Sequence, residues 1–306
     1  MAESSVTLHR SSEQDDAGAR ALQRRHRAGL LVKVIEGVFV EAPAWAKLDG
    51  RGRHLLLARA LGPTIRPTAA LSHLTAALAY GWPVVGLQPD RVHVTDGATT
   101  RTEHRAHLVR HAGSPEIGSE RWVLGGIPLT SRLRTAVDLA TTLEPASAAV
   151  AIDHAVRNGS ISVEQFAEAL PPRPSRGSVR ARTVSAALDA AHESAGESYT
   201  AIRMVQLGLP RPTAQHPFTL PGGRTVRVDF WVPELGLVVE FDGKQKYTDR
   251  EMLYGVDPGE AVWREKVRED RLRALPEVRA VVRPTWWHLV ELDRFHTLFR
   301  QHRLLV

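Results

Sequence analysis

Residues 227–243, RVDFWVPELGLVVEFDG, constrain the fold more than any other part of the chain. Two apolar-rich runs flank Pro-Glu-Leu-Gly, which is a turn signal, so the segment is expected to be a β-hairpin with strands over 225–232 and 237–242. Setting Val232 opposite Leu237 and counting inward places Asp229 opposite Glu240. Side chains alternate across a strand, so one face carries Val226, Val228, Phe230, Val232, Leu237, Val239 and Phe241, all apolar. The other face carries Arg227, Asp229, Trp231, Val238, Glu240 and Asp242. Two carboxylates directly opposite each other lie about 5 Å apart and destabilise a sheet by roughly 0.2–1 kcal/mol. Either that face is solvated, or a divalent cation sits between Asp229 and Glu240 and turns repulsion into coordination. Hard oxygen ligands of this kind suit Mg²⁺ or Mn²⁺. Asp242 falls opposite Arg227, where a simple cross-strand ion pair would also account for it.

The rest of the chain bounds what such a hairpin can belong to. With 306 residues there is enough sequence for two domains. Lys and Arg number 40 against 34 Asp and Glu, a net charge of +6, which favours a polyanionic partner such as DNA. There is no cysteine, which excludes disulfides, thiolate nucleophiles and cysteine-ligated zinc. The polar start MAESSVTLHRSSEQDDAGAR has no apolar signal core, and no run of about 18 apolar residues crosses a membrane, so the expected setting is cytoplasmic.

Along the chain, residues 1–18 have little to bury and are expected to be a disordered tail. GARALQRRHRAG suits a basic helix, and LLVKVIEGVFVEA suits two strands around Glu36-Gly37, together the shape of a winged-helix-like start. Helices are expected in RGRHLLLARAL, in LSHLTAALAYGW with Ser72 as N-cap, and in LTSRLRTAVDLATTL. ASAAVAIDHAVRNGSISVEQFAEAL should form two helices, broken at Gly159, with Ser162 capping the second. PPRPSRGS ends that region, giving an α+β N-terminal region over 19–170, a linker over 171–180 and an α/β domain over 181–306. In the last domain the expected order is α-β-β-α-β around a mixed sheet, with a Pro-rich connection before the hairpin. His104, His107 and His111 lie in HRAHLVRH, whose strand-like alternation keeps the three from sharing a face. Trp286 and Trp287 are expected to serve as core and edge packing.

An Asp on one strand followed by Glu-x-x on its hairpin partner is similar to the PD-(D/E)XK nuclease core. RVDFWVPELGLVVEFDGKQKY, then WREKVREDRLRAL and VVRPTWWHL, more specifically resembles the very-short-patch-repair-like (Vsr-like) endonuclease-related domains, over roughly residues 193–306. The resemblance implies that Asp229 and Glu240 bind Mg²⁺ or Mn²⁺ and that Glu197 is the acid contributed by the preceding helix. Ser194-x-x-Glu197 is equally a capping box. The family lysine is replaced by Asp242. Lys246 stands where those domains often place a histidine, with Lys244 beside it. Both are catalytic candidates and both also suit a flexible surface. Arg264, Arg268 and Arg271 fall on one helical face, for phosphate contact or for pairing with neighbouring acids. GVFVE, LSHLTAALAYGWP, RVHVT and GIPLTSRLRTAVDLA resemble the AbiEi family, antitoxins of type IV toxin–antitoxin systems, over about residues 20–170. That implies a partial winged helix on DNA, with Arg24, Arg25 and Arg27 as phosphate-contact candidates.

Two functions are therefore expected. One is a metal-dependent DNA endonuclease positioned by the AbiEi-like region, and the other a non-catalytic DNA-binding regulator or antitoxin with a cognate toxin. A module that neutralises a toxin without touching DNA is a third.

Overall fold

The computed structural model describes residues 6–87, 89–117, 123–170, 175–220, 222–243 and 258–302, with the side chains of 258–262, 264 and 265 outside the description. The chain divides into two compact units, 1–139 and 140–306. The division falls within a helix, ahead of the Pro-rich stretch where the sequence places a linker.

Unit 1 runs β1 (His9–Arg10), α1 (Asp16–Arg27), β2 (Leu31–Ile35), β3 (Val38–Glu41), α2 (Ala42–Ala46), α3 (Gly50–Leu61), β4 (Ala69–Leu71) and α4 (His73–Ala79). It continues with β5 (Val92–Asp96), β6 (Glu103–His104), β7 (Leu108–Ala112), β8 (Val123–Leu124) and β9 (Ile127–Pro128). Helix α5 (Arg132–Thr142) carries the chain across the division. The expected helix and hairpin are present as α1, β2 and β3. The expected disordered tail is corrected in part: His9 and Arg10 pair with Phe39 and Val38 in a sheet of order β1-β3-β2. Two things pin that segment. Arg10 donates to the carbonyls of Ala60 and Arg59, both at 2.9 Å, and Asp15 caps α1 by accepting from the Gly18 N–H at 2.7 Å. A second sheet, β4-β5-β7-β6, has β5 and β7 parallel and closes over Leu71, Val92, Val94, Leu108, Ile127 and Leu129.

Unit 2 comprises α6 (Pro145–Arg157), α7 (Val163–Ala169), α8 (Ser178–Ala187), α9 (Ala195–Gln206), β10 (Thr213–Thr219), β11 (Thr225–Val232), β12 (Leu237–Val239), α10 (Pro258–Arg273), β13 (Ala280–Val282), α11 (Trp286–Leu289) and α12 (Leu292–Gln301). Helix α6 is capped by Glu144 and packs against α8 and α9, which is why the helices of 145–169 belong with this unit. Ser162 and Gln165 form a complete capping box on α7. The sheet order is β10-β11-β12-β13, antiparallel twice and then parallel, with α10 as the crossover. The element order is thus α-β-β-β-α-β. The Pro-rich connection ahead of the hairpin is itself an edge strand, where Pro217 is tolerated because its missing N–H is not needed on the open side. Among the described residues no helix is long and apolar enough to cross a membrane.

Candidate functional site

The hairpin has the expected register, with Val232 opposite Leu237, Trp231 opposite Val238 and Phe230 opposite Val239. Gly236 makes the turn possible, since its φ is +59° and a Cβ there would lie 2.7 Å from the Glu277 carbonyl. Beyond Val239 the strand pair opens. The N–H groups of Glu240 and Asp242 donate to the carbonyls of Val282 (3.0 Å) and Pro284 (2.9 Å), so the chain stays beside β13. On the β11 side, the Asp229 carboxylate accepts the Phe241 N–H at 2.8 Å, taking the place of a strand carbonyl. The return strand is therefore shorter than the expected 237–242.

Glu240 has a different set of partners. Its side chain is 9% exposed and accepts from Arg268 on both oxygens and from Arg283 at 2.9 Å. Burial alone would raise its pKa, but hydrogen bonds and charge from Arg268 and Arg283 outweigh it and hold the carboxyl below its ordinary value. Arg268 also donates to the Arg227 carbonyl at 3.0 Å, so it turns toward the acid pair. Arg271 is exposed, and the side chain of Arg264 lies outside the described residues, as do Lys244 and Lys246. Arg227 pairs with Glu193 at 2.8 Å, while Asp242, its expected cross-strand partner, is half-buried.

Glu197 is buried at the first turn of α9. It accepts from the Ser194 hydroxyl (2.7 Å), the Glu193 N–H (2.9 Å) and the Gln215 amide (2.8 Å), while its own N–H donates to Ser194 (3.2 Å). The capping arrangement and the link to the sheet thus share one carboxylate. Gln215 was not legible as a site residue. It lies between the pairs Ala214–Phe230 and His216–Val228, hence opposite Asp229, with a φ of +53°. That left-handed backbone costs a non-glycine residue on the order of 1–3 kcal/mol and redirects its side chain to Glu197. Close packing brings α9 to the same place: a Cβ on Gly196 would fall 2.1 Å from the Phe241 ring. Phe241 meets Trp286 edge-on at 5.2 Å, and Trp286 meets Tyr199 at 5.3 Å, so Trp286 has the expected packing role. Trp287 is 60% exposed beneath Arg294.

In unit 1 the stretch expected to run as a single strand is a hairpin of β6 and β7 with His104 opposite Val109, and His111 is brought to two other histidines. The pairs His93–Val109 and Thr95–His111 set His93 and His111 diagonally on one sheet face, with Nδ1 of His93 3.0 Å from Nε2 of His111. His73, first residue of α4, stacks on His111 with ring centroids 3.6 Å apart. One ligand nitrogen from each of the three lies within 4.8 Å of the others. Nδ1 of His73 stands 3.5 Å from Asp138 Oδ2, and Arg134 holds the other Asp138 oxygen at 2.8 Å. Burial pushes His93 down to about 3 and His111 to about 4, and His73 well below its usual value, so the three are neutral at pH 7. Burial also raises Asp138 to about 6 against the pull of Arg134. No spacing rule links positions 73, 93 and 111.

Of the α1 arginines, Arg25 is bound by Glu41 at 2.7 Å, and Arg24 and Arg27 are exposed.

No protein-family profile matches the chain. It is similar to two proteins described as uncharacterized, Rv2248 of Mycobacterium tuberculosis strain H37Rv and MT2308 of strain CDC 1551. Each is 30% identical over 169 residues, which is 55% of this chain and 60% of the relative. The crystal structure of the RV2827C protein from Mycobacterium tuberculosis aligns with a TM-score of 0.36 at 15% identity, covering 70% of this chain and 84% of that one.

Proposed function

We propose that unit 2 is a metal-dependent phosphodiester hydrolase of the PD-(D/E)XK type acting on DNA, with unit 1 as an AbiEi-like DNA-associating region. The observation that carries this reading is convergence. Glu197, Gln215, Asp229 and Glu240 come from α9, β10, β11 and the end of β12 to one end of one sheet, and a strained Gln215 ties the helix acid to it. The hairpin, with Glu240-x-Asp242 following its return strand, supports the resemblance on which the reading rests, while β10 is a strand added to the expected α-β-β-α-β order. Carboxylates are hard-oxygen ligands that suit Mg²⁺ or Mn²⁺, so Asp229 on β11 and Glu240 just past β12 would hold the ion, with Glu240 giving up contacts to Arg268 and Arg283 to do so. When bound, the cation would polarise a phosphate oxygen and lower the pKa of a water. Arg268 and Arg283, already at Glu240, supply the positive charge that Asp242 does not, and as guanidiniums they suit a phosphate.

A second reading is a non-catalytic DNA-binding regulator or antitoxin with a toxin partner. The observation favouring it is that the two arginines already neutralise Glu240, so its burial needs no cation.

Nicking of supercoiled plasmid with Mg²⁺ or Mn²⁺ separates the two. The hydrolase reading expects cutting that falls on the order of 10²–10³-fold in both Asp229→Ala and Glu240→Ala. Cutting no greater in the wild type than in the variants sinks it, and retained DNA binding in a gel-shift assay would then leave the second reading in its place.

A further inference from the structure

We infer that His73, His93 and His111 form a binding site for a single divalent transition-metal ion of the zinc class, separate from the carboxylate cluster of unit 2. Imidazole is a borderline ligand that suits Zn²⁺, and three histidines with one open position are a recurrent zinc set.

Three independent features point to a ligand. First, Nδ1 of His93 and Nε2 of His111 face each other at 3.0 Å. One proton shared between the two neutral rings satisfies both nitrogens there, and a cation would replace that proton and take both lone pairs. Second, the Asp138 carboxylate stands 3.5 Å from Nδ1 of His73 and is itself held by Arg134 at 2.8 Å. The Ser72 hydroxyl, 2.9 Å from the same nitrogen, orients the ring, and the Asp138 carboxylate beside it adds a negative charge that favours a bound cation. Third, His73 sits at φ +50°, in the left-handed region, where backbone strain persists only if the surroundings impose it. That backbone places the ring flat on His111, 3.6 Å away and 12° from parallel.

The dimensions fit. Tetrahedral zinc with bonds of about 2.0–2.1 Å places its nitrogens about 3.4 Å apart. The three ligand nitrogens already lie within 4.8 Å of one another. The lone pairs of the stacked His73 and His111 rings run in parallel planes, so binding requires one of the two to turn out of the stack as the nitrogens close on the ion. His73 is buried while His93 and His111 are only partly so, which leaves an approach for the ion and a place for water on their side.

The test uses the full chain, freed of metal with a chelator and titrated with ZnCl₂ by calorimetry. One zinc per chain is expected, with affinity falling about 100-fold or more in His93→Gln and His111→Gln, and about 10–100-fold in Asp138→Asn. Glu234→Ala, exposed in the hairpin turn of the other unit, should bind zinc as the wild type does. If a histidine variant fails to fold by circular dichroism, ¹⁵N-histidine spectra of the wild type decide: zinc should shift the side-chain nitrogens of three histidines together. No zinc binding by the wild type, undiminished affinity in folded His93→Gln and His111→Gln, or spectra unchanged by zinc would each overturn the site.

Discussion

Glu240→Gln tests the electrostatic account of the sheet end, because it keeps the shape of the side chain and removes its charge. In the wild type the carboxylate is 9% exposed, and the Arg268 and Arg283 side chains are 24% and 28% exposed. Breaking a fully buried pair costs about 3–5 kcal/mol, since it leaves an uncompensated charge. Both guanidiniums can recover part of their hydration here, so the expected loss at pH 7 is about 2–3 kcal/mol. At about 2–4 °C per kcal/mol for a unit of this size, that is roughly 5–10 °C in Tm. The pH dependence supplies the sharper test. The folded pKa of Glu240 is lowered, so the stability it contributes is present above its unfolded value, about 4.3, and is lost as pH falls through the folded value. The gap between wild type and Glu240→Gln should therefore be full at pH 7 and shrink as the wild-type carboxyl protonates in acid. Urea unfolding at both pH values, with hydrogen-exchange mass spectrometry on peptides from β11 to β13, would locate the change in this unit. A variant as stable as the wild type at pH 7, or a gap of the same size in acid, would refute the reasoning.

Gly196→Ala should lose about 1–2 kcal/mol, because overpacking against Phe241 (about 1–3 kcal/mol) exceeds the gain of roughly 1 kcal/mol in helix propensity; a melting point at or above the wild type would contradict the packing. At position 215, glycine should be better tolerated than alanine, the reverse of an ordinary strand, because alanine keeps the φ of +53° while losing the bond to Glu197. Denaturant midpoints with alanine ahead of glycine would remove the strain argument. His192 and Asp153 are a buried pair at 2.7 Å, and although burial lowers the imidazole pKa, the Asp153 hydrogen bond and charge raise it overall. Its contribution is thus full below about pH 6.5 and fades as pH rises through the raised value, so Asp153→Asn should flatten the stability profile between neutral and alkaline pH. A parallel loss in wild type and variant would exclude the pair as its source.

The hairpin register was legible because apolar residues repeat with period two on both sides of a strong turn. Its far end was not, since the pairing of residues 240–242 is decided by β13, some forty positions later. Strand β10 was hidden because Pro217 and a left-handed Gln215 break the pattern that identifies a strand. Glu197 could be picked out from its capping spacing, but its bond to Gln215 depends on a backbone conformation that no residue type announces. The Arg268 helix face was visible as a periodicity, yet periodicity alone did not say whether it met solvent or Glu240. The three histidines were unreadable for a different reason. They come from a helix start and two parallel strands, and only the β5–β7 register brings them together.

The fork at Val239 also has a kinetic meaning. The hairpin contacts up to Phe230–Val239 are local and can form early, whereas the amides of Glu240 and Asp242 wait for a parallel crossover through α10. Non-local parallel pairing is slow because loop closure comes before any contact is gained. The carboxylate cluster is thus assembled by the last stage of sheet formation. In pulse-labelling experiments, protection at Glu240 and Asp242 should follow β13 rather than the hairpin to which they are covalently joined.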